Sequence, residues 1–403
     1  MEEVKSPTEC LRFETPRRKE LANITKRLAV GLAALILLAS IAWRYNGRRA
    51  EDFVYYYCAG LSLKLGFSPY APHSLYQACL AKALGPRSLA ARWGLGCAYP
   101  PQAVLLLRRL ADAPYFAAFH AWSALLGAAS VLLAAALYGA QFSQWPLLFT
   151  WPGFILCWAY HKAALPVFLA FWAGLKFADG KRPLLGGVLL GISGIEPQWL
   201  AAGLLYLALR KNVRALGTAL AVGVMPVFSS PGALSGIEWL HSAATHIHIA
   251  TLDNQGLLWL LYKNFGPWPQ LGDSGLLVLR AALFMALMAP AAFLLWKKGR
   301  QALPLYLALY LLASPYSHGS DLLWVFPLFA TVVNGVAERW ALSKPRELFL
   351  GLSVNGAIAA LSAGYAPAMI ADPVIQGRQG PLTLILAGAW ALSSAFASRL
   401  PRE

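Results

Sequence analysis

Apolar runs of membrane-crossing length recur along this chain, and short clusters of lysine and arginine separate them. A helix needs roughly 20 mostly apolar residues to cross a bilayer. Hydrophobic residues make up 58% of the sequence, above the roughly 45–50% usual in soluble domains. The fold class that follows is an all-α polytopic membrane protein. No polar linker divides the runs, so residues 28–403 read as one transmembrane domain behind a polar cytoplasmic tail, residues 1–27. The run after the tail is too long for a signal peptide and lacks a small-residue cleavage site.

The formal net charge is +16. In a soluble protein that surplus would suggest nucleic-acid binding, but no such motif is visible, and no nucleic-acid partner is expected. The basic residues gather at 176–182, 210–214, 297–300 and 338–347, the distribution of the positive-inside rule. They also suit anionic lipid head groups, so membrane lipids are expected partners.

Fixing those clusters in the cytoplasm sets the path. A first span covers 28–44, and residues 46–115 form an outer loop. Within it, Ser68-Pro69-Tyr70-Ala71-Pro72 is too turn-rich for regular helix. Tyr99-Pro100-Pro101 opens a short interfacial or re-entrant helix. Spans follow at 116–138, 145–160 and 163–178, the last two flanking a tight corner at His161-Lys162. The apolar stretch between the clusters at 182 and 210 must go out and return, yet it is too short for two full spans. Two short helices meeting at Glu196-Pro197 are expected there, inside the protein. Residues 215–230 lead to a second outer loop, 231–273, and runs at 276–296, 303–313, 322–337, 348–365 and 382–397 complete about twelve membrane-inserted helices. Both termini fall in the cytoplasm. The Asp52 segment, His161-Lys162, Glu196, the 231–273 loop, His318, Asp321 and Asp372 all fall on the outer side.

Charged residues are only 13% of the chain, which makes the stretch from Arg48 to Gly60 conspicuous. It places Glu51 and Asp52 beyond a span, beside Arg48, Arg49, Tyr55, Tyr56 and Tyr57. An acid so placed is a candidate for function; a solvated loop acid that helps to set topology is the plainer alternative. Glu196 interrupts an apolar stretch, so it needs a cation, for which Lys162 is a candidate, or a proton. His246-Ile247-His248 would share a face on an extended strand, but no third ligand stands at a fitting spacing. No metal is expected, and His248 is left to phosphate or sugar. Tryptophan and tyrosine are expected chiefly as interface anchors. Of the five cysteines, Cys58, Cys79 and Cys97 share the first outer loop. Buried free thiols are the expectation, with a disulfide between two of them as the alternative in an oxidising compartment.

Five motifs occur in order: Asp52-Phe53-x-x-Tyr56 with Ala59-Gly60; Gly66-x-x-Pro69-Tyr70; Tyr99-Pro100-Pro101; Asp253-Asn254-Gln255-Gly256-Leu257; and Ser314-Pro315-x-x-His318-x-x-Asp321. Together they resemble glycosyltransferase family 87, the polyprenyl-phosphate-mannose-dependent enzymes, over about residues 50 to 330. The resemblance implies a GT-C fold and inverting transfer of a hexose, mannose by analogy, from a polyprenyl-phosphate donor to a lipid or glycan hydroxyl. It implies no metal and no cofactor beyond the lipid-linked sugar itself. Asp52 takes the part of the general base. His318, with Lys162, Arg48 and Arg49, suits the donor phosphate. Tyr56, Tyr70, Glu196, His248, Asn254, Gln255 and Asp321 are candidates for sugar or acceptor contacts. Glu196 departs from the pattern, since relatives carry a lysine before the mid-chain proline. The location implied is a bacterial inner membrane, with the site facing the periplasm or exterior. A transporter or flippase of lipid-linked saccharides is the rival reading; no internal repeat is visible to support it.

Cysteines introduced at positions 181 and 299 are expected to escape impermeant thiol reagents in intact cells. Labelling of either from outside would contradict the topology.

Overall fold

The computed structural model describes residues 51–71, 74–84, 96–139, 141, 144–229, 235–249, 272–314, 323–340, 347 and 349–354. The tail, the first span, the 382–397 run and Asp372 lie outside them. Among the described residues every regular element is helical.

The first outer segment is more ordered than the expected loop. Glu51–Lys64 forms α1 and Leu75–Leu84 forms α2, with the turn at Ser68–Ala71 between them. The helical period is present in α1: Phe53, Tyr56, Tyr57 and Gly60 recur at three- and four-residue steps, on one face. Phe53 packs edge-on against Tyr115 and Phe119, each ring centroid 5.4 Å away. Cys58 and Cys79 form a disulfide that joins α1 to α2, which corrects the expectation of free thiols; Cys97 and Cys157 are buried and take no part in a disulfide. Tertiary packing and this cross-link support helices that local sequence presents as loop.

Pro101–Arg108 forms α3, with Pro100 as N-cap and Pro101 in the first turn. At 8 residues it is about 12 Å long, too short to span. Its approach to α1 is backbone-close, for a Cβ on Gly60 would stand 2.4 Å from the Leu107 carbonyl oxygen. Tyr115–Tyr138, α4, has 24 residues and crosses a bilayer by length and composition. The run expected at 145–160 is broken instead, into α5 (Trp145–Phe149) and α6 (Pro152–Tyr160). Pro152 has no N–H to bond back to the preceding turn, which favours the break.

After the His161-Lys162 corner comes α7, Ala164–Ala178. Pro183–Ile192 (α8), a 3-10 turn at Ser193–Ile195, and Pro197–Leu209 (α9) give the two short helices expected, meeting at Glu196-Pro197. Val213–Gly223 (α10) and Met225–Ser229 (α11) follow. The second outer loop contains a helix, α12 (Gly236–Ile249), so the extended-strand argument for His246 and His248 does not hold. Gly272–Lys298 (α13) and Leu303–Ala313 (α14) pack on each other across a turn whose Gly299 has φ +58°. Phe326–Arg339 forms α15.

Among the described residues two stretches are long and apolar enough to cross a membrane, Tyr115–Tyr138 and Ala281–Leu311, and apolar helices of 10–17 residues, such as Ala164–Ala178 and Pro197–Leu209, accompany them.

The interior holds tryptophans that composition suggested as interface anchors. Trp151, Trp199 and Trp324 are buried. The Trp199 and Trp324 rings lie 3.8 Å apart, and Trp324 stacks on Tyr310. At one end of this core the basic clusters converge. Arg300 Nε pairs with Asp179 Oδ2 at 2.9 Å, the Tyr206 hydroxyl donates to the same oxygen, and Asn212 Nδ2 donates to the Ala178 carbonyl at 2.7 Å. Three segments placed in the cytoplasm by charge alone therefore meet.

Close helix contact around α8 depends on small residues. A Cβ on Gly186 would lie 2.3 Å from the Ala178 backbone nitrogen, whereas one on Gly217 meets nothing within 4 Å. Gly186→Ala is expected to cost about 1–3 kcal/mol. Gly217→Ala is expected to be neutral or stabilising by about 0.4–1 kcal/mol. Melting of the two purified variants checks this, and equal melting would contradict the packing.

Candidate active site

At the other end of the core, four segments bring polar groups together. The corner between α6 and α7 is built first. His161 ends α6 in the left-handed conformation, φ +56°, which is uncommon for a residue with a Cβ. Neighbouring groups hold it there. The Lys162 N–H reaches back to the Cys157 carbonyl at 2.9 Å, closing a Schellman-type end. Trp122 Nε1 donates to the His161 carbonyl at 2.8 Å. The His161 ring is buried, 3.2 Å from the Ser123 hydroxyl and against Phe119. Residues in such conformations persist where surrounding contacts over-determine them, commonly at functional sites.

The corner presents Lys162 to α1. Lys162 Nζ lies 3.7 Å from Asp52 Oδ2, and the two side chains are 15% and 16% exposed. Next to it, the Ala163 N–H donates to the Tyr56 hydroxyl at 2.7 Å, which fixes α1 to the corner. Burial raises the Asp52 carboxyl above its usual range, and the Lys162 ammonium opposes that rise.

Tyr99 completes the wall from the segment before α3, its ring 4.9 Å from that of Tyr56. Burial pushes both hydroxyls well up, and the charges of Asp52 and Glu196 add to it. Both tyrosines are therefore neutral donors at working pH. Glu196 enters from the α8–α9 break in an extended conformation, φ −113° and ψ 102°, the conformation that a following proline favours. Gln198 Nε2 donates to Glu196 Oε2 at 2.8 Å. Gln102 of α3 ties the break to the interfacial helix, donating to the carbonyls of Gly194 (3.3 Å) and Gly223 (3.0 Å).

The second outer segment lies over the first. Trp239 Nε1 donates to the Ala98 carbonyl at 2.9 Å, Ser242 to the Cys97 carbonyl at 3.0 Å, and Ser68 to Glu238 at 2.7 Å. Burial pushes the Cys97 thiol up to about 12, so it is inert.

The structure thus brings together Asp52, Lys162, Tyr56 and Glu196 of the residues read from sequence. Tyr56 and Tyr70 are buried, and the Tyr70 hydroxyl donates to the Tyr99 carbonyl at 3.0 Å; both build the wall. His248 falls within α12. Arg48, Arg49, Asn254, Gln255, His318 and Asp321 lie outside the described residues. Among those described, no group of three His, Cys, Asp or Glu could hold a metal ion. Sequence reasoning gave no role to Tyr99, Gln102, Trp122 or Ser123. The Tyr99-Pro100-Pro101 motif was the one signal, because Gln102 and Trp122 act on backbone carbonyls and Ser123 on a ring that only the fold brings to it.

A mostly buried carboxylate paired with a lysine, beside neutral tyrosine donors and a second acid, can take a proton and hold hydroxyls. The family model for glycosyltransferase family 87 matches residues 98–315, more than half of the chain. The chain belongs to glycosyltransferase family 87. It is a membrane glycosyltransferase, which favours transfer over the transporter reading. No curated protein and no solved structure matches it. The stretch matched to family 87 includes Tyr99, Lys162, Glu196 and the Asp253–Leu257 motif. It is narrower than the five motifs: Asp52 and Tyr70 precede it, and His318 and Asp321 follow it.

Proposed function

We propose that this family 87 enzyme transfers a hexose, mannose by its resemblance to the family, from a polyprenyl phosphate to a lipid or glycan hydroxyl. Transfer proceeds with inversion, within a single GT-C-type domain and without a metal or further cofactor. The observation that carries the reading is the Asp52–Lys162 pair, mostly buried and 3.7 Å across.

Asp52 is the general base. The acceptor oxygen attacks the anomeric carbon from the face opposite the phosphate. Its proton passes to Asp52, the new carbon–oxygen bond forms, and the bond to the phosphate oxygen breaks with its electron pair. Lys162, with His318, Arg48 and Arg49, meets the negative charge that grows on the departing phosphate. Glu196, His248, Asn254, Gln255 and Asp321 hold sugar or acceptor hydroxyls. A buried carboxyl raised above the ordinary range is a stronger base than a free one near 3.9. Activity therefore falls on acidification at a higher pH than for an exposed aspartate.

The site belongs on the outer face of a bacterial inner membrane, with both termini cytoplasmic. The Cys58–Cys79 disulfide on the Asp52 helix favours an oxidising compartment, and the basic clusters gather at the opposite end of α7. That helix has 15 residues and separates the two ends by about 22 Å.

Asp52→Asn keeps the size and removes the base. Donor-dependent sugar incorporation in reconstituted vesicles is expected to fall by about 10²–10⁴. Turnover within a few fold of the parent enzyme removes Asp52 from the mechanism.

A further inference from the structure

Lys162 is asked to do two things: it pairs with the base, and its charge suits the donor phosphate. A single ammonium cannot hold both anions equally well. We propose that Lys162 is a donor-operated clamp on Asp52, held by the carboxylate in the empty enzyme and drawn to the donor phosphate when the lipid-linked sugar binds. The base is thereby released only when there is something to attack. The proposal rests on the assignment of Asp52 as base.

Three observations support it. The backbone at Lys162 is pinned, by the Cys157 carbonyl on one side and by Trp122 through His161 on the other. The residue thus stays in place while its flexible four-carbon stem is able to swing. The contact with Asp52, at 3.7 Å, is longer than the roughly 2.7–2.9 Å of a tight charge-assisted hydrogen bond, so it exchanges easily for a better one. Lys162 is also the cation that opposes the effect of burial on Asp52.

Among the described residues, the other groups around Asp52 do not replace it. Tyr56 from α1 and Tyr99 from the segment before α3 are neutral, and Glu196 from the α8–α9 break is an acid. His161, on the same corner, turns its ring to Ser123 and Phe119. Lys64 and Asp112, at the far end of α1, pair with each other. Among these described groups, moving Lys162 away leaves Asp52 beside one acid and neutral donors, and its affinity for a proton rises.

Steady-state pH profiles test this. Rates at limiting donor report the free enzyme, and rates at limiting acceptor with saturating donor report the donor complex. The acid limb of the second profile is expected about one to two pH units above the first, the size of effect one adjacent cation has on a carboxylate. In Lys162→Met both limbs move up and the gap shrinks, while Lys162→Arg keeps the gap. Coincident limbs in the parent enzyme overturn the clamp. So does an equal gap in Lys162→Met, which would mean that the phosphate charge alone acts on Asp52. The base assignment is tested separately: it falls if Asp52→Asn stays active, and it survives if that variant is dead and the limbs coincide. The parent comparison needs no variant to fold.

Discussion

A carboxylate withdrawn from water is costly unless something compensates it, and the arrangement around Asp52 is organised by that cost. Lys162 supplies the opposite charge. To bring it there, the chain accepts a left-handed histidine at the end of α6, holds that histidine by its carbonyl and its ring, and stitches Ala163 to Tyr56. Pairs of this kind contribute little net stability compared with a well-packed apolar replacement. Retaining one at the mouth of a membrane domain makes sense as chemistry.

The two ends of the molecule divide the work. One end gathers Asp179, Arg300, Tyr206 and Asn212 into a network that fastens helix ends together. The other gathers Asp52, Lys162, Tyr56, Tyr99 and Glu196. Between them lies an aromatic interior, with Trp199 and Trp324 in contact. Trp199 lies in the first turn after Glu196-Pro197, where its N–H bonds to the Glu196 carbonyl. The break that delivers Glu196 is thereby anchored directly in the core.

Several of these features were legible in the sequence because a hard constraint forced them. Pro197 lacks an N–H and biases Glu196 toward an extended conformation, and the chain between two basic clusters was too short for two spans, so the break could be placed. The prolines at 100 and 101 marked the interfacial helix in the same way. What was hidden depended on tertiary context. Residues 51–64 and 75–84 read as loop because their helicity rests on packing and on a disulfide whose pairing the sequence did not fix. The interior position of Trp151, Trp199 and Trp324 was hidden because an interface belt and an aromatic core need the same residue types. Asp52 and Lys162 were singled out separately, but nothing local shows that they face one another across 110 residues.

The most direct test is where a lipid phosphate binds. A structure of the protein with polyprenyl phosphate, the product that keeps the leaving group, is expected to place the phosphate within hydrogen-bonding reach of Lys162, with Asp52 separated from it by room for a sugar ring. A phosphate held instead at the Asp179–Arg300 end, or bound with no contact to Lys162, would contradict the account.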